Sequence, residues 1–173
     1  ISQPSELYNL GESFSVPATI KAISNTNGFL SMSILCNSQE QEFYKEYIVL
    51  SAGQEKKVNP SVLLIKDLIG EMAGICRIKA SLSGDYALTD EFRVSKLINI
   101  ELKTNQTEFS PKSNILIEGT ATRENGELAE GFIELSMPSN NINIIDTVSN
   151  GLFSVNFSIP ENTPAGQHLL SIK

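Results

Sequence analysis

The stretch that decides the fold is residues 151–160, with the sequence Gly-Leu-Phe-Ser-Val-Asn-Phe-Ser-Ile-Pro. From Phe153 to Ile159, apolar residues alternate with polar ones, so that the apolar ones share one face of an extended chain. A period of two residues is typical of an antiparallel strand with one face in a core and the other in water. The same alternation, ended by Gly, Asn or Pro turns, recurs along the chain and predicts an all-β fold.

The chain has 173 residues, which suits two small sandwich domains of about 100 residues or fewer. We expect one immunoglobulin-like antiparallel β-sandwich over residues 1–97 and a second, in tandem, over residues 98–173. The predicted strands cover 11–23, 29–36, 42–50, 57–65, 74–82 and 87–97, then 98–104, 114–122, 131–137, 142–148, 152–159 and 168–173. A lead-in strand is expected within residues 1–8, a hairpin turn at residues 25–28, and a helical turn competes with a strand within residues 61–72. Because a seventh strand is not found after residue 173, we expect the second sandwich to be incomplete at its C-terminal end.

The charge of the chain excludes one class of partner. Residues 1–97 hold nine Lys and Arg against eleven Asp and Glu, and residues 98–173 hold four against nine, for a net charge of -7. Nucleic-acid binding needs clustered basic residues, so we expect no nucleic-acid partner. No apolar run reaches the ~18 residues that cross a bilayer, so we expect no direct membrane insertion of this segment. The chain opens at Ile1 with no initiating Met or signal peptide, which predicts a piece of a longer polypeptide.

The two cysteines, Cys36 and Cys76, both fall inside predicted strands of the first domain. A disulfide between them would close a loop of roughly 40 residues and stabilise the fold by about 4 kcal/mol in the chain-entropy model. It would also place the chain in an oxidising compartment, at the cell surface or outside the cell. The alternative is two buried reduced thiols that pack as small hydrophobic groups. One histidine in the chain and no Cys-x-x-Cys motif argue against a redox or metal role.

A resemblance adds to this interpretation. Turn and core signatures stand at residues 117–121 (IEGTA), 126–135 (GELAEGFIEL), 151–155 (GLFSV), 159–160 (IP) and 164–170 (PAGQHLL), and in the first half at residues 8–16 (YNLGESFSV). Together they resemble the immunoglobulin-like repeats of prokaryotic cell-surface proteins, archaeal ones among them, which include the carboxypeptidase-regulatory-like and related β-sandwich families. The resemblance covers most of residues 98–173 and residues 1–97 more loosely. Because these families have no common catalytic residues, it implies a fold and no site.

Catalysis and metal binding find little support in the residues. A Ser-His-Asp or Cys-His arrangement would have to use His168, and no Gly-x-Ser-x-Gly turn is present. Five carboxylates lie around one predicted hairpin and could bind Ca²⁺: Glu118, Glu124, Glu127, Glu130 and Glu134. Calcium-binding loops usually have closely spaced Asp residues instead, so we expect these carboxylates to form a solvated acidic face. We therefore expect a protein that is not an enzyme, with no catalytic, cofactor-binding or metal-binding residues and no cofactor.

Aromatic residues and sequons are the remaining candidates. The alternation predicts a core position for five phenylalanines: Phe14, Phe29, Phe92, Phe153 and Phe157. Trp is absent, so the candidate aromatic patch for carbohydrate is Phe43, Tyr44 and Tyr47, with Phe43 and Tyr47 on one face of a strand and Tyr44 on the other. Asn-x-Ser/Thr sequons at Asn105 and Asn156 are possible glycosylation sites in an exported protein.

These observations predict a non-enzymatic structural or adhesive segment of a larger cell-surface or secreted protein. It would space or present other domains and make protein–protein contacts with neighbouring domains of the same polypeptide, other surface proteins or copies of itself. Such contacts would come through loops or an exposed edge strand. The alternative is a pair of accessory polysaccharide-binding domains of a secreted hydrolase, which an exposed aromatic row around Tyr44 and Tyr47 would favour.

Overall fold

The computed structural model describes residues 1–69, 72–104 and 106–173. These residues form two compact units, Ile1–Lys96 and Leu97–Lys173, and each unit has a hydrophobic core of its own. Nearly every regular element is a strand, and the strands of each unit enclose its core. The predicted all-β sandwich class is therefore confirmed.

Unit 1 is built from a large sheet and a smaller layer. Its elements are β1 (Leu7–Asn9), β2 (Ser13–Ser15), β3 (Ala18–Lys21), β4 (Thr26–Cys36), β5 (Gln39–Leu50), β6 (Glu55–Val58), β7 (Ser61–Leu63), α1 (Lys66–Ile69), β8 (Gly74–Leu82), β9 (Asp85–Leu88) and β10 (Phe92–Ser95). The large sheet has the order β1-β10-β8-β4-β5, with β9 beside β8, and β1 is parallel to β10 while the other pairs are antiparallel. The smaller layer consists of the pairs β2–β7 and β3–β6.

Prolines divide the smaller layer. The strand predicted over residues 11–23 is interrupted between β2 and β3 at Pro17, and the one predicted over residues 57–65 is interrupted between β6 and β7 at Pro60. Proline has no N–H to donate to a ladder, so regular pairing stops at both positions. One hydrogen bond bridges the gap, from the Val16 N–H to the Pro60 carbonyl at 2.8 Å. Pro17 thus marks a break in the predicted strand.

The core of unit 1 lies between the two layers. On β4 the side chains of Leu30, Met32 and Ile34 are almost completely buried, and Val62 and Leu64 cover them from the smaller layer. Burying a side chain of this size stabilises a fold by about 1.5–3 kcal/mol. These inward-facing side chains of β4 are therefore a main source of the stability of this unit.

The hairpin turn predicted at residues 25–28 is wrong. β4 already begins at Thr26, and Asn27 and Gly28 pair with Val49 and Ile48 of β5. A Cβ atom on Gly28 would lie 2.5 Å from Ser83 Oγ, so this glycine permits a close approach between strands. The β4–β5 turn is instead at Asn37 and Ser38, which both have positive φ (48° and 70°) as a tight hairpin requires.

A disulfide joins Cys36 to Cys76, the bridge that the sequence analysis predicts. The two residues face each other directly across β4 and β8, with 4.2 Å between their Cα atoms. Facing residues in an antiparallel pair come this close at non-hydrogen-bonded positions, so strand pairing itself brings the sulfurs together. The bridge is buried and links neighbouring strands of one sheet.

Unit 2 consists of two three-stranded sheets. Its strands are β11 (Ile98–Lys103), β12 (Asn114–Arg123), β13 (Gly131–Met137), β14 (Ile142–Val148), β15 (Leu152–Ser158) and β16 (Ser171–Ile172), with a 3₁₀ turn at Pro138–Asn140. The sheet orders are β11-β12-β15 and β14-β13-β16, all antiparallel. The last predicted strand, residues 168–173, is thus shorter in the structure.

The stretch that predicts the fold behaves as expected. On β15 the side chains of Phe153, Val155 and Phe157 are buried and the residues between them are exposed. Phe153 lies over Gly119 of β12, where a Cβ atom would stand 2.3 Å from the ring. The ring therefore occupies the space that a side chain at Gly119 would need, and the two residues pack as one pair.

We expect removal of the disulfide to destabilise unit 1 selectively. The bridge closes a segment of 40 residues, so the double substitution Cys36→Ala with Cys76→Ala should lower the free energy of unfolding of unit 1 by about 4 kcal/mol. Denaturant unfolding followed by amide hydrogen exchange of the two units measures this. Unit 2 has no cysteine and serves as the internal control. Equal destabilisation of both units, or none, would contradict the expectation.

Candidate interaction face

The outer face of the large sheet of unit 1 holds four large side chains that are each more than half exposed. These are Phe29 of β4, Tyr47 and Val49 of β5 and Tyr86 of β9, which are 57%, 54%, 70% and 66% exposed; together we call them the aromatic face. The outer face of an antiparallel sheet is normally polar, and exposed apolar clusters of this kind mark contact surfaces. This surface is therefore the leading candidate for a functional site.

Strand register brings Phe29 and Tyr47 together. They face each other directly across β4 and β5, with ring centroids 5.2 Å apart and ring planes at 70°. The Lys45 ammonium lies 5.4 Å from the centre of the Phe29 ring, within the range of a cation–π contact. The core position predicted for Phe29 is wrong. The even-numbered apolar residues of β4 occupy the core, so the side chain of Phe29 lies on the opposite, solvent-exposed face of the strand. The other four phenylalanines are buried as predicted: Phe14, Phe92, Phe153 and Phe157.

A bulge in β5 changes which aromatic residues share a face. Met32 pairs with Tyr44 and Ser33 pairs with Glu42, so that Phe43 is an extra residue opposite β4. Phe43 and Tyr44 both pack partly buried against the core, whereas Tyr47 is exposed. The expectation that Phe43 and Tyr47 share a face is wrong, because one extra residue reverses the alternation. The predicted row of Tyr44 and Tyr47 is divided between the two sides of the sheet.

Tyr44 belongs to a polar contact between the two layers. Its hydroxyl donates to Glu46 Oε2 at 2.5 Å, and the Lys56 ammonium of β6 donates to Glu46 Oε1 at 2.9 Å. The hydrogen bond to Glu46, with smaller contributions from burial and from the carboxylate charge, raises the pKa of Tyr44 to about 12. The hydrogen bonds from Tyr44 and then Lys56 lower the pKa of Glu46. The three residues, which we call the Tyr44–Glu46–Lys56 clasp, tie β5 of the large sheet to the smaller layer.

Hydroxyl groups lie between the two ends of the aromatic face. Ser31 of β4 and Ser81 of β8 face each other and their hydroxyl oxygens are 2.8 Å apart. Ser81 in turn pairs with Tyr86, and the Lys79 ammonium lies 6.0 Å from the Tyr86 ring. Rings therefore stand at both ends of the face, with hydrogen-bonding groups in the middle.

His168 is engaged in loop contacts in unit 2. Its Nε2 is 2.9 Å from the Pro164 carbonyl, which can only accept, so Nε2 carries a proton. Its Nδ1 is 2.8 Å from Ser139 Oγ. A hydroxyl beside an imidazole is the first element of a nucleophilic site, but the Ser139 hydroxyl is also within 2.9 Å of Asn140 Oδ1. The Nδ1 contact thus holds the loop to the 3₁₀ turn, and the Nε2 contact lies within the loop.

Two acidic residues of the predicted hairpin have partners of their own, and two others lie on different sheets. Glu127 forms an ion pair with Arg123 at 3.7 Å, and Glu130 accepts a hydrogen bond from the Asn150 N–H at 2.7 Å. Glu118 and Glu134 lie on different sheets. Within residues 1–69, 72–104 and 106–173, no group of three or more His, Cys, Asp or Glu side chains is placed to hold a metal ion.

Of the two sequons, the structure places one. Asn156 is an exposed residue of β15 on the side opposite to the core, and the Ser158 hydroxyl of its sequon donates to Asn114 Oδ1 at 2.6 Å. Asn105 lies outside the described residues. Glycosylation of either residue remains a prediction. In the parts of the chain that the structure covers, neither helical segment has the length and apolar character to span a membrane.

Comparison with known proteins gives only distant likenesses. No protein-family model matches the chain, and no curated protein matches it. Among solved structures, the β-glucosidase from Listeria innocua is 23% identical over 51% of this chain and 14% of that chain, with a TM-score of 0.42. Its complex with gluconolactone aligns over 54% of this chain and 15% of that chain, with 23% identity and a TM-score of 0.43. Escherichia coli α-2-macroglobulin activated by porcine elastase aligns over 99% of this chain and 19% of that chain, with 14% identity and a TM-score of 0.35.

The chain therefore spans less than a fifth of the length of each of these proteins. No activity, ligand or partner follows from such likenesses. A function has to be argued from the geometry of the two units themselves.

We expect the substitution Glu46→Gln to move the pKa of Tyr44 down from about 12 toward its ordinary value. The substitution removes the charged carboxylate that accepts the hydrogen bond of the phenol. Absorbance titration of tyrosinate near alkaline pH measures this, with Tyr44→Phe to assign the signal. Glu42→Gln is the matched control, since Glu42 pairs with Lys45 at 3.7 Å and should leave the pKa of Tyr44 unchanged.

The same clasp gives unit 1 a defined pH dependence. Glu46, whose pKa is lowered in the fold, adds stability at pH values above its ordinary pKa, and this is lost as pH falls through the lowered value. Tyr44, whose pKa is raised to about 12, adds stability below pH 10, and this is lost as pH rises toward 12. If the Glu46→Gln variant still loses the same stability at acidic and at alkaline pH, the clasp does not cause this pH dependence.

Proposed function

We propose that this chain is a non-enzymatic structural and adhesive segment of an extracytoplasmic protein, of the immunoglobulin-like repeat class found on prokaryotic cell surfaces. The aromatic face would be its contact surface, and the observation that carries the proposal is the exposure of Phe29, Tyr47, Val49 and Tyr86 on one sheet face. Aromatic side chains dominate the buried centres of protein interfaces. Burying the exposed part of each of these side chains would contribute about 1–2 kcal/mol to a contact, from which the cost of association is subtracted.

The geometry of the face favours a protein partner. The Phe29 and Tyr47 rings meet at 70°, which leaves an uneven surface into which side chains can interdigitate. The lysines of the face are paired with acidic neighbours, Lys45 with Glu42 at 3.7 Å and Lys79 with Glu40 at 3.2 Å. A face with exposed rings and charges of both signs can meet a second copy of itself across a two-fold axis, where each ring and charge faces its counterpart region on the partner. The partner that fits is therefore another domain of the same kind, and a second copy of this chain is the one that can be tested directly.

The disulfide supports the extracytoplasmic location within this proposal. Structural disulfides persist in oxidising compartments and are rare in the cytosol. The bridge between Cys36 and Cys76 is buried beneath the sheets of unit 1, which is the position of a structural bond. Intact mass of protein from its native source, alkylated with and without reductant, tests the location, and free thiols at both positions would contradict it.

We expect the substitutions Phe29→Ser and Tyr47→Ser to abolish self-association. Sedimentation velocity over a range of concentrations should show reversible dimers of the unaltered chain and monomers of this double variant, because the paired rings that the contact would bury are removed. Phe132→Ser is the matched control, since Phe132 of unit 2 is 77% exposed but lies outside the aromatic face. A chain that is monomeric at all concentrations, or dimers that survive the double variant, would overturn the proposed self-contact.

Polysaccharide binding is a second candidate function, favoured by one observation. Tyr47 and Tyr86 are exposed at opposite ends of the face, with the Ser31 and Ser81 hydroxyls between them. A sugar chain lying across the sheet could stack on a ring at each end and bond to the hydroxyls in the middle. The tilt between Phe29 and Tyr47 leaves single rings and not a broad flat platform.

Affinity electrophoresis in gels that contain neutral or acidic polysaccharides distinguishes the two candidates. If a sugar chain binds here, Tyr86→Ala should remove the retardation of the protein and Phe132→Ser should not. Retardation that is unchanged by Tyr86→Ala and by Tyr47→Ala, or no retardation by any polysaccharide, would reject this second candidate.

A further inference from the structure

A groove of about 970 Å³ opens in unit 2 between Leu102, near the end of β11, and Leu170, just before β16. Its apolar lining comes from both sheets and from adjoining loops, and we call it the β11–β16 groove: Leu102, Phe109, Ile117, Met137, Ile159 and Leu170. Among the described residues that line it, Glu108 carries the one carboxylate. The groove thus exposes one side of the core, between the edges of the two sheets.

The edge strand β11 carries an uncovered apolar row, and its last member, Leu102, lines this groove. Ile100 stands opposite Ala121, which is buried in the core, so Ile98, Ile100 and Leu102 lie on the core side of their sheet. All three are nevertheless between 36% and 50% exposed. Among the described strands β11 pairs with β12 alone. An edge strand with an apolar row of this kind is a position where a further strand can pack.

On the other side of the groove, Leu170 leads directly into β16, which offers backbone hydrogen bonds. β16 pairs with β13 through Ile172 opposite Leu135 and Ser171 opposite Ser136, and no described strand lies on its other edge. Ile172 and Leu170 pack against the core. A strand added to β16 would therefore be hydrogen-bonded along its backbone and would direct alternate side chains over the core, against the apolar row of β11.

The dimensions of the groove favour an extended occupant. Two packed sheets lie about 10 Å apart, so an α-helix of about 10–12 Å diameter would force them open, whereas a strand occupies about 4.8 Å within a sheet. The six residues of β11 give a length of roughly 20 Å to be covered. Only a segment with apolar side chains at alternate positions can cover the core and keep its other side chains in water.

Charge indicates the remaining side chains of the occupant. Residues 98–173 hold four basic and nine acidic residues, and Glu108 stands at the groove itself. Basic side chains between the apolar ones would thus be attracted to this unit. We propose that the β11–β16 groove binds an extended strand of another polypeptide, in which apolar residues alternate with Lys or Arg, as an additional strand on β16.

The probe is a synthetic peptide of ~8 residues, about 26 Å long when extended, in which Val or Ile alternates with Lys or Thr. Titration calorimetry with the full chain should show saturable binding in the micromolar range. Amide exchange should slow at β16 and at β11. A control peptide of the same composition, with its apolar residues in one block, should bind about tenfold more weakly, because it cannot place them all over the core.

Two variants connect the binding to the groove. Leu102→Asp places a charge on the apolar row and should weaken peptide binding by about tenfold or more. Leu116→Asp is its matched control, since Leu116 of the adjoining strand is 49% exposed against 50% for Leu102 but lies on the outer side of the sheet, and it should leave binding unchanged. Because both positions are half-exposed, both variants should fold, which circular dichroism checks.

Several results would overturn the proposal. They are the absence of saturable binding, equal binding of the blocked peptide, and equal loss in Leu116→Asp and Leu102→Asp. Dimerisation of the chain that Leu102→Asp abolishes would make a second copy the occupant and would also reject it. Stronger binding of a peptide with Glu in place of Lys would reject the charge assignment. The aromatic face lies in unit 1. A negative result for peptide binding therefore does not affect the proposed self-contact, and a negative result for self-association does not affect the proposed peptide binding.

Discussion

The structure of unit 1 depends on the burial of the inward-facing side chains of β4. The even-numbered side chains from Leu30 to Cys36 are withdrawn from water, and no other strand in the described chain has a longer list of pairing partners on both sides. Since side chains of a strand alternate strictly between its faces, this choice settles the odd-numbered positions as well. Cys36 is placed beside Cys76 within the core, and Phe29 is placed in water opposite Tyr47. The disulfide and the candidate contact surface thus follow from one constraint.

The bulge at Phe43 adjusts this constraint at the edge of the sheet. An extra residue lets Phe43 and Tyr44 both pack toward the core, and beyond the bulge the alternation resumes with Tyr47 outward. Tyr44 then reaches Glu46, and Glu46 reaches Lys56 across to the other layer. The clasp thus supplies a side-chain link between the two layers of the sandwich.

Periodicity predicted the strands and the class of fold because both depend on the local alternation of apolar residues. The strands of residues 74–82, 131–137 and 142–148 lie where the pattern places them. Three features depended on contacts between distant residues and could not be predicted. Gly28 is explained by Ser83, 55 positions later in the chain, and the orientation of Tyr47 depends on a bulge that only pairing with β4 defines. The aromatic face combines residues of three strands, so no local window contains it.

The two units leave apolar surface uncovered in different ways, and this difference bears on function. Unit 1 has a covered core and exposes rings on the outside of a finished sheet, where their removal would cost the fold little. Unit 2 exposes the side of the core itself, along edges that none of the described strands pairs. A contact on the aromatic face can therefore form and dissociate without changing the fold. Covering the groove of unit 2 would instead extend a sheet and complete a core, so that a partner bound there would contribute to the stability of the domain.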